Sequence, residues 1–376
     1  MTLKAEPQRA FEQQRVGVNG LLGYPTADAA RLFKWSRESD LAFACIQKIV
    51  EAAQDPDLVI ERRTKRGAQW QTEYGHPLRQ LLMRPNPQMT QAEFLGVWLA
   101  MEHIGGRFFA EIVRNKRGQP VELWPLDPTR LFPTENGGWV WRDGGEEVVF
   151  KPGELFVSHW PDPQCPWLPL APLKVALGAV EADAFQTMFV RTYFKNSGVP
   201  SGIIKYKGVL AGEAGKQRAR EIVQSWLEKI GLLGRYANAP QVLDDNAEYQ
   251  KIGANLNELD GGNLRGQNEA RICGVFGVPP LLVSAFVGLQ FVNQRSSARE
   301  AQREFWANKM SPTLKRMRTK LQWSLLLEWE PEAEVRAELV RVGWDMSLVV
   351  AMQEEIGQRD QRARESFRAG ALMLNE

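Results

Sequence analysis

Cysteine, histidine and long apolar runs are all scarce in this sequence of 376 residues. Cys45, Cys165 and Cys273 are far apart and lack C-x-x-C spacing, which disfavours a zinc site and suits a reducing compartment. No segment approaches the ~20 apolar residues that span a bilayer, and the polar N-terminus lacks the apolar core of a signal peptide. The sequence therefore predicts a protein that is soluble and intracellular when it is made, with no membrane partner.

Motifs of catalysis are equally sparse. His76, His103 and His159 do not occur in an H-x-x-x-H or H-E-x-x-H pattern. Residues 212–217 superficially resemble a phosphate loop, but Leu210 occupies the position of its first glycine. No serine lies in a G-x-S-x-G context. We therefore expect no catalytic residue, no metal site and no cofactor, and a protein that is not an enzyme.

Charge is balanced as well. The formal net charge is +2, so any contact with nucleic acid must come from a local basic surface and not from the chain as a whole. The length allows two or three domains with ordinary hydrophobic cores.

The pattern of the first 160 residues predicts an α+β domain. Thr90 and Glu93 form a capping box that opens a helix to about residue 104, because each side chain accepts a hydrogen bond from the other residue's amide. The predicted strands share alternating apolar residues and polar turns between them, and they are 58–62, 70–72, 108–113, 120–124, 131–133, 139–141 and 147–150. Helices mixed with such strands are typical of α+β folds.

Downstream of a proline-rich break, a helix is predicted for residues 172–195. Its two apolar stripes are wide for a surface helix and indicate packing on both sides. Residues 201–254 resemble a small separate unit, with strands at 202–206, 241–243 and 248–252 and a helix at 211–230. We also expect a strand near 335–342 that rejoins the first domain, then charged helices at 346–374.

An apolar loop interrupts the chain near residue 280. Pro279 and Pro280 lack N–H donors and end a short helix at Gly277. Residues 281–293, here called the apolar loop, contain no charged side chain. A loop of this composition is buried or is placed where it touches a partner.

A basic helix follows from about residue 294 to residue 329. Pro312 within it should kink the helix or restart it. One interpretation is that the helix lines a channel, where Arg295, Arg299 and Arg303 are candidates for contact with phosphates. A solvated face or ion pairs between subunits would explain the same charges, and the sequence leaves both interpretations open.

The run NEARICGVFGVPPLL at 268–282 resembles the R-I-x-x-x-F-G-V-P-P core of tailed-bacteriophage portal proteins. Three further blocks match this siphophage-like family in order and spacing: A-C-I-x-x-I at 44–49, H-P-L-x-x-L-L-x-x-P-N-P at 76–87, and F-x-N-G with P-S-G at 194–202, where Ser197 replaces the usual glycine. The resemblance covers about residues 39–330. Its motif positions with expected structural roles are Asn196, Pro200, Arg271, Phe276, Gly277, Pro279 and Pro280.

The resemblance implies an α+β portal fold with named parts. These are an N-terminal arm (1–26), the first part of an α+β wing (27–169), a stem helix (170–196), a small α/β clip (197–254), a second stem helix (255–278), a tunnel loop (279–294), a kinked basic helix with the return to the wing (295–345), and a short helical crown (346–376).

The resemblance also implies a function. Portal proteins form a ring at one capsid vertex, usually of twelve subunits, through which double-stranded DNA is packaged and later ejected. The expected partners are other copies of the chain, double-stranded DNA, the terminase large subunit, a head–tail adaptor and the major capsid protein. The expected location is the virion, with the host cytoplasm during assembly.

Within that family the segment after the two prolines projects into the tunnel. By this resemblance the DNA-contacting candidates in the apolar loop are Phe286, Leu289, Gln290, Phe291 and Asn293. A charge-free loop can press on a duplex without gripping phosphates, whose neutralisation would add salt-dependent drag. Alternatively, the two phenylalanines fill a core between subunits.

Two other functions fit parts of the sequence. A non-viral DNA-binding or scaffold protein would be a monomer or dimer with salt-sensitive affinity for DNA. A hydrolase would lose its activity when His103 or His159 is changed.

Overall fold

A computed structural model describes residues 26–134, 137–163, 169–195, 202–206, 247–251, 261–289 and 295–347, together with isolated residues of 213–224 and 349–365. Two compact units are present. The first unit combines Met1–Leu177 with Ala270–Glu376, and the inserted unit is Gly178–Glu269. In the described part of the chain, no helix is both long and apolar enough to cross a membrane.

The elements before residue 160 alternate between helix and strand. In chain order they are α1 Thr26–Glu38, α2 Asp40–Ala52, β1 Asp57–Arg62, β2 Gln71–Thr72, α3 Pro77–Met83, α4 Gln91–Gly105, β3 Arg107–Arg114, β4 Pro120–Leu126, β5 Leu131–Pro133, β6 Trp139–Asp143, β7 Glu146–Phe150 and β8 Leu155–His159.

The later elements are mostly helical. They are α5 Pro172–Lys195, β9 Gly202–Tyr206, β10 Ala247–Lys251, α6 Gly261–Phe276, α7 Phe286–Leu289, α8 Arg295–Phe305, α9 Ser311–Ser324, α10 Glu332–Arg336 and β11 Val340–Asp345. Short 3-10 turns occupy Pro280–Val283 and Leu326–Glu328, and a π turn occupies Trp306–Met310.

Strand β1 is the centre of a three-stranded antiparallel sheet with the order β11-β1-β2. Its register pairs Asp57 with Asp345 and Arg62 with Val340. The hairpin to β2 confirms the predicted pairing of 58–62 with 70–72. Through its pairing with β1, strand β11 joins the sheet that begins near the start of the first unit.

Two further three-stranded sheets, β4-β3-β8 and β5-β6-β7, complete the β region. Phe109 on β3 packs with buried Leu131, Phe150 and Leu155 from the other strands, which joins the two sheets through one apolar cluster. The β3–β4 hairpin confirms the sequence prediction for 108–113 and 120–124.

Helix α4 runs through the core of the first unit. The predicted capping box is present, because the Thr90 amide donates to Glu93 Oε2 at 2.7 Å and the Glu93 amide donates to Thr90 Oγ1 at 3.3 Å. Trp98 on this helix is fully buried and stacks on Phe108 at 5.6 Å between ring centroids. Gly106 ends the helix with a φ of 75°, where an added Cβ would lie 2.8 Å from the Cβ of Pro169.

Helix α5 has the predicted bounds, whereas the last strand begins later than expected. Residues 335–342 were predicted as a strand, but α10 continues to Arg336 and β11 begins only at Val340. Glu332 and Glu334 lie in the first turn of α10, where carboxylates favour a helix by interacting with its dipole. Glu338 then reverses the chain with a φ of 56°.

In the inserted unit, β9 and β10 pair antiparallel, with Gly202 opposite Lys251 and Tyr206 opposite Ala247. The predicted strand at 248–252 is therefore present, shifted by one residue. Residues 1–25 of the predicted arm (1–26), the predicted strand at 241–243, and most of the predicted helices at 211–230 and 346–374 lie outside the described residues. The division into arm, wing, stem, clip and crown stays a prediction.

Candidate functional site

The apolar loop starts from a fixed helix end. Gly277 has a φ of 68°, its amide donates to the Gly274 carbonyl at 3.2 Å, and the Val278 amide donates to the Cys273 carbonyl at 3.0 Å. This pair of bonds is the Schellman motif, in which a left-handed glycine satisfies the last carbonyls of a helix. Phe276, one residue earlier, is fully buried. The predicted stop of the helix before Pro279 is confirmed.

The described part of the apolar loop is compact. The Leu282 amide donates to the Pro279 carbonyl at 2.9 Å, and the Ala285 amide donates to the Pro280 carbonyl at 3.0 Å. A Cβ added to Gly288 would lie 2.6 Å from the backbone nitrogen of Leu281, so α7 packs directly on the preceding turn. The two prolines and Gly288 thus fold the start of the loop onto itself.

Phe286 is the candidate DNA contact whose side chain the structure describes, and it is 46% exposed. That exposure suits contact with DNA and equally suits contact with a second subunit. Leu289 ends α7, and the description covers its backbone only. Gln290, Phe291 and Asn293 lie outside the described residues.

The three candidate arginines lie on α8. Arg295, Arg299 and Arg303 recur every fourth residue and therefore share one face of this helix. Arg299 is exposed and Arg303 is half-buried. Glu300 and Glu304 are exposed on the neighbouring stripe, so basic and acidic rows run side by side. The helix register places the three positions on one face, and the description covers the backbone only at Arg295. Their contact with phosphates or with a neighbouring subunit stays a prediction.

A π turn separates α8 from α9. The Ser311 amide donates to the carbonyl of Trp306, five residues earlier, which widens the helix at this point. Pro312 follows directly after the π turn, so the hydrogen bond that it cannot donate falls where the regular i to i−4 pattern is already interrupted. The Thr313 hydroxyl donates to the Lys309 carbonyl at 2.8 Å. The backbone stays helical at Phe305, Met310 and Ser311, so the helix continues through the π turn and the predicted restart at Pro312 is wrong.

Glu102 connects α9 to the core. Its side chain is fully buried. Oε1 accepts hydrogen bonds from Trp98 Nε1 at 2.9 Å and from Ser158 Oγ, and Oε2 accepts one from Arg316 Nη2 at 2.5 Å. Buried carboxylates of this kind are held by charge-assisted hydrogen bonds. Nothing local in the sequence indicates this contact, because Glu102 and Arg316 are 214 residues apart.

Trp160 receives two cations. The Arg316 guanidinium lies 4.4 Å and the Lys309 Nζ 5.3 Å from the ring centroid, both over the ring. Burial lowers the pKa of Lys309 to about 8, and the positive charge of Arg316 adds to this effect. Lys309 in the π turn and Arg316 on α9 are therefore half-buried against this aromatic ring.

His103 is a structural residue in this environment. It is fully buried, its Nδ1 lies 2.7 Å from the Leu99 carbonyl, and its ring stacks on Phe276 at 6.3 Å between centroids. Burial, together with the charge of Lys309, lowers the pKa of His103 to about 3. The packing of a neutral His103 ring on the motif residue Phe276 accounts for the residue types at both positions without a catalytic role.

His76 caps helix α3. Its Nδ1 accepts the Leu78 amide at 3.1 Å, which places the ring hydrogen on Nε2, and Nε2 lies 3.2 Å from Glu330 Oε1. Glu330 also binds Arg62 at 2.5 Å. Glu330, which precedes α10, therefore contacts both His76 at the start of α3 and Arg62 on β1.

The remaining motif residues lie on a helix surface, lie at the start of the apolar loop, or fall outside the described residues. Arg271 is exposed on α6, Pro279 and Pro280 form the half-buried base of the apolar loop, and Asn196 and Pro200 lie outside the described residues. Within the described ranges, no group of three or more His, Cys, Asp or Glu side chains could hold a metal ion.

Taken together, these features define an α+β protein whose first unit is interrupted within α5, resumes at Ala270 within α6 and continues into a proline-bounded apolar loop. The family model described as phage portal protein matches residues 41–376. The chain therefore belongs to the phage portal protein family, which confirms the resemblance recognised in the four sequence blocks.

Solved structures of similar fold come from particle necks and from a phage portal. The neck of an empty gene transfer agent particle computed with C6 symmetry has a TM-score of 0.64 at 24% identity and covers 92% of this chain and 91% of its own. The neck of a native particle computed with C12 symmetry has a TM-score of 0.63 at 22% identity, covering 94% and 92%. An HK97-family phage portal protein from Corynebacterium diphtheriae has a TM-score of 0.57 at 12% identity, covering 85% and 95%.

Among curated proteins, an uncharacterized protein of Rickettsia bellii (strain RML369-C) is 21% identical over 289 residues. The match covers 74% of this chain and 72% of that protein.

Proposed function

We propose that the chain is the portal subunit of a tailed phage or of a phage-like particle such as a gene transfer agent. Copies of it form a closed ring, of twelve subunits, at one capsid vertex of the virion. Double-stranded DNA passes through the ring during packaging and ejection. The terminase large subunit and later a head–tail adaptor dock on the inserted unit, and the major capsid protein surrounds the first unit. Assembly takes place in the host cytoplasm.

The exposed apolar face of α5 carries the proposal of a ring. Phe185, Met188 and Phe189 are 62%, 63% and 46% exposed, and they lie three or four residues apart on one side of the helix. Large apolar side chains grouped in this way mark a surface that another protein covers. A second copy is the partner that fits best, because related particle necks have rotational symmetry and a head-to-tail contact that closes produces such a ring.

The ring is tested by native mass spectrometry of the purified chain with negative-stain imaging. Twelve copies of the 42.6 kDa chain have a mass of about 511 kDa, and images should have a central hole wide enough for a duplex. Replacing Phe185 and Met188 by glutamate should yield monomers, because charges would enter the contact. Thr187→Glu is the matched control: it adds a charge on the opposite side of the helix and should leave the ring intact.

Equal assembly of the wild type and the double variant would contradict the assigned surface. A monomeric wild type that binds DNA tightly, with an affinity that falls steeply as salt rises, would contradict the ring itself and favour an ordinary DNA-binding protein.

The portal role of the chain is non-enzymatic in this proposal. The energy for packaging comes from nucleotide hydrolysis in the docked terminase, while the portal subunit supplies the passage. Purified rings should therefore hydrolyse no ATP, and hydrolysis that persists in highly purified rings would overturn this part of the proposal.

A further inference from the structure

Cys45 and Cys273 form a buried thiol pair. Their Sγ atoms are 4.0 Å apart, and one thiol donates a hydrogen bond to the other. Both residues belong to the first unit, Cys45 on α2 and Cys273 on α6, and both are almost completely inaccessible to solvent. They are 228 residues apart in the sequence, so only the folded chain brings them together.

We propose that this pair is an oxidative modification site, at which a small-molecule disulfide oxidant converts the two thiols into an intrachain disulfide that ties α2 to the end of α6. The proposal does not depend on ring assembly or on DNA passage. It depends on two sulfur atoms that already touch and that need a further approach of about 2 Å to bond.

The chemistry is two successive thiol–disulfide exchanges. The thiolate of one cysteine attacks the oxidant, forms a mixed disulfide and releases one small thiol. The thiolate of the other cysteine then attacks the protein sulfur of that mixed disulfide and releases the second small thiol. Two protein thiols are oxidised and one oxidant is reduced, and the two protons lost by the cysteines end on the two released thiols.

The surroundings of the pair make this reaction slow in the folded chain. The hydrogen bond from Cys273 and burial both raise the pKa of Cys45, so the reactive thiolate is scarce. The oxidant also has to reach sulfur atoms that solvent does not reach. The bond should therefore form when α2 and α6 separate briefly, and the thiols should survive in a reducing cytoplasm.

Once formed, the bond would hold the base of the apolar loop. The carbonyl of Cys273 accepts the Val278 amide that closes the Schellman motif, so Cys273 is part of the turn at Gly277. A covalent link at this residue fixes the turn to α2. The 228-residue separation also makes the closed loop large, which is the case in which a cross-link restricts the unfolded chain most.

The test incubates the full-length chain with glutathione disulfide at several urea concentrations below the unfolding transition, then measures intact mass and maps disulfide-linked peptides. The expected product is lighter by about 2 Da and contains a Cys45–Cys273 peptide. Its rate of formation should rise with urea, and its urea midpoint should be higher than that of the reduced chain. Cys165→Ala should behave like the wild type, whereas Cys45→Ala should lose the product.

Three outcomes would overturn the proposal. They are stable glutathione adducts without the linked peptide, a linked peptide that contains Cys165 in place of either partner, and failure to oxidise at urea concentrations where amide exchange demonstrates opening of α2. Cys273→Ala provides a second variant, so that a folding defect of Cys45→Ala cannot account for the loss.

Discussion

Gly277 is the residue at which the chain changes from a helix to the apolar loop, and its backbone has a conformation that other residues adopt at a cost. Its φ of 68° is left-handed, whereas Gly274, one turn earlier, lies within the helix with open space around it. Gly277 therefore needs a left-handed backbone, whereas Gly274 has the right-handed backbone of a helix.

Replacing each glycine by alanine should therefore have effects of opposite sign. Gly277→Ala should lower the free energy of unfolding by about 1–2 kcal/mol, because a Cβ disfavours the left-handed region. Gly274→Ala should raise it by about 0.5–1 kcal/mol, because alanine restricts the unfolded chain and suits a helix. Urea unfolding of the two variants measures both values. Destabilisation by Gly274→Ala would contradict the open space around this glycine.

His103 makes stability depend on pH. Its pKa is lowered to about 3 in the folded chain, from about 6.5 in the unfolded chain. The unfolded state therefore takes up a proton first as the pH falls. The stability associated with the neutral ring is present above pH 6.5 and is lost progressively toward pH 3, with a slope of about 1.4 kcal/mol per pH unit.

His103→Gln removes this titration while retaining a donor for the Leu99 carbonyl. Urea unfolding between pH 4.5 and 7 should give a shallower dependence for the variant than for the wild type, by the slope of one proton. Parallel pH profiles would mean that the imidazole becomes protonated within the folded chain.

At the scale of elements, helix α9 is fastened to α4 and β8 by one buried carboxylate. Arg316→Met should destabilise the chain by about 3 kcal/mol, because it leaves Glu102 buried without its cation. The double variant with Glu102→Gln should recover part of the loss, since an amide is cheaper to bury than a charge. Arg318→Met is the control on the same helix. Additive effects in this cycle would show that the two side chains do not interact.

The elements that could be predicted from the sequence are those with local signals. The capping box at Thr90, the bounds of α5 and the helix end at Gly277 depend on residues that are near one another in the chain. The contact of Glu102 with Arg316 could not be predicted, since no pattern links residues 214 positions apart. The late start of β11 was missed because the apolar residues of α10 and its following turn imitate a strand.

The candidate site could be predicted in part for the same reason. Composition identified the charge-free loop and the arginine row of α8. It gave no sign that Lys309 and Arg316, further along the same basic run, turn inward against Trp160. Charge alone does not tell a solvent-facing arginine from one that packs on an aromatic ring.

At the scale of the whole molecule, the apolar loop should act on DNA and leave assembly unaffected. Deleting residues 287–291 should leave rings intact and impair DNA packaging or retention, measured as DNA content per particle. Phe286→Ser tests the alternative role. If Phe286→Ser weakens the rings but leaves the DNA content normal, Phe286 lies in a contact between subunits. In that case the deletion of residues 287–291 should weaken the rings as well. Normal DNA filling after the deletion would remove the role assigned to the loop.

The pairing of β1 with β11 also sets a timetable for synthesis. In the sequence β1 precedes the inserted unit and β11 follows it, so Asp57 cannot pair with Asp345 until the intervening residues have been synthesised. At a ribosomal rate of about 5–20 residues per second, the delay is on the order of 15–60 s. During that time β1 has only the two-residue strand β2 beside it, and its other edge is open to pairing with another nascent chain. A polysome that makes many copies side by side would be the place where such errors occur, so a chaperone that shields β1 would raise the yield of correctly folded subunits.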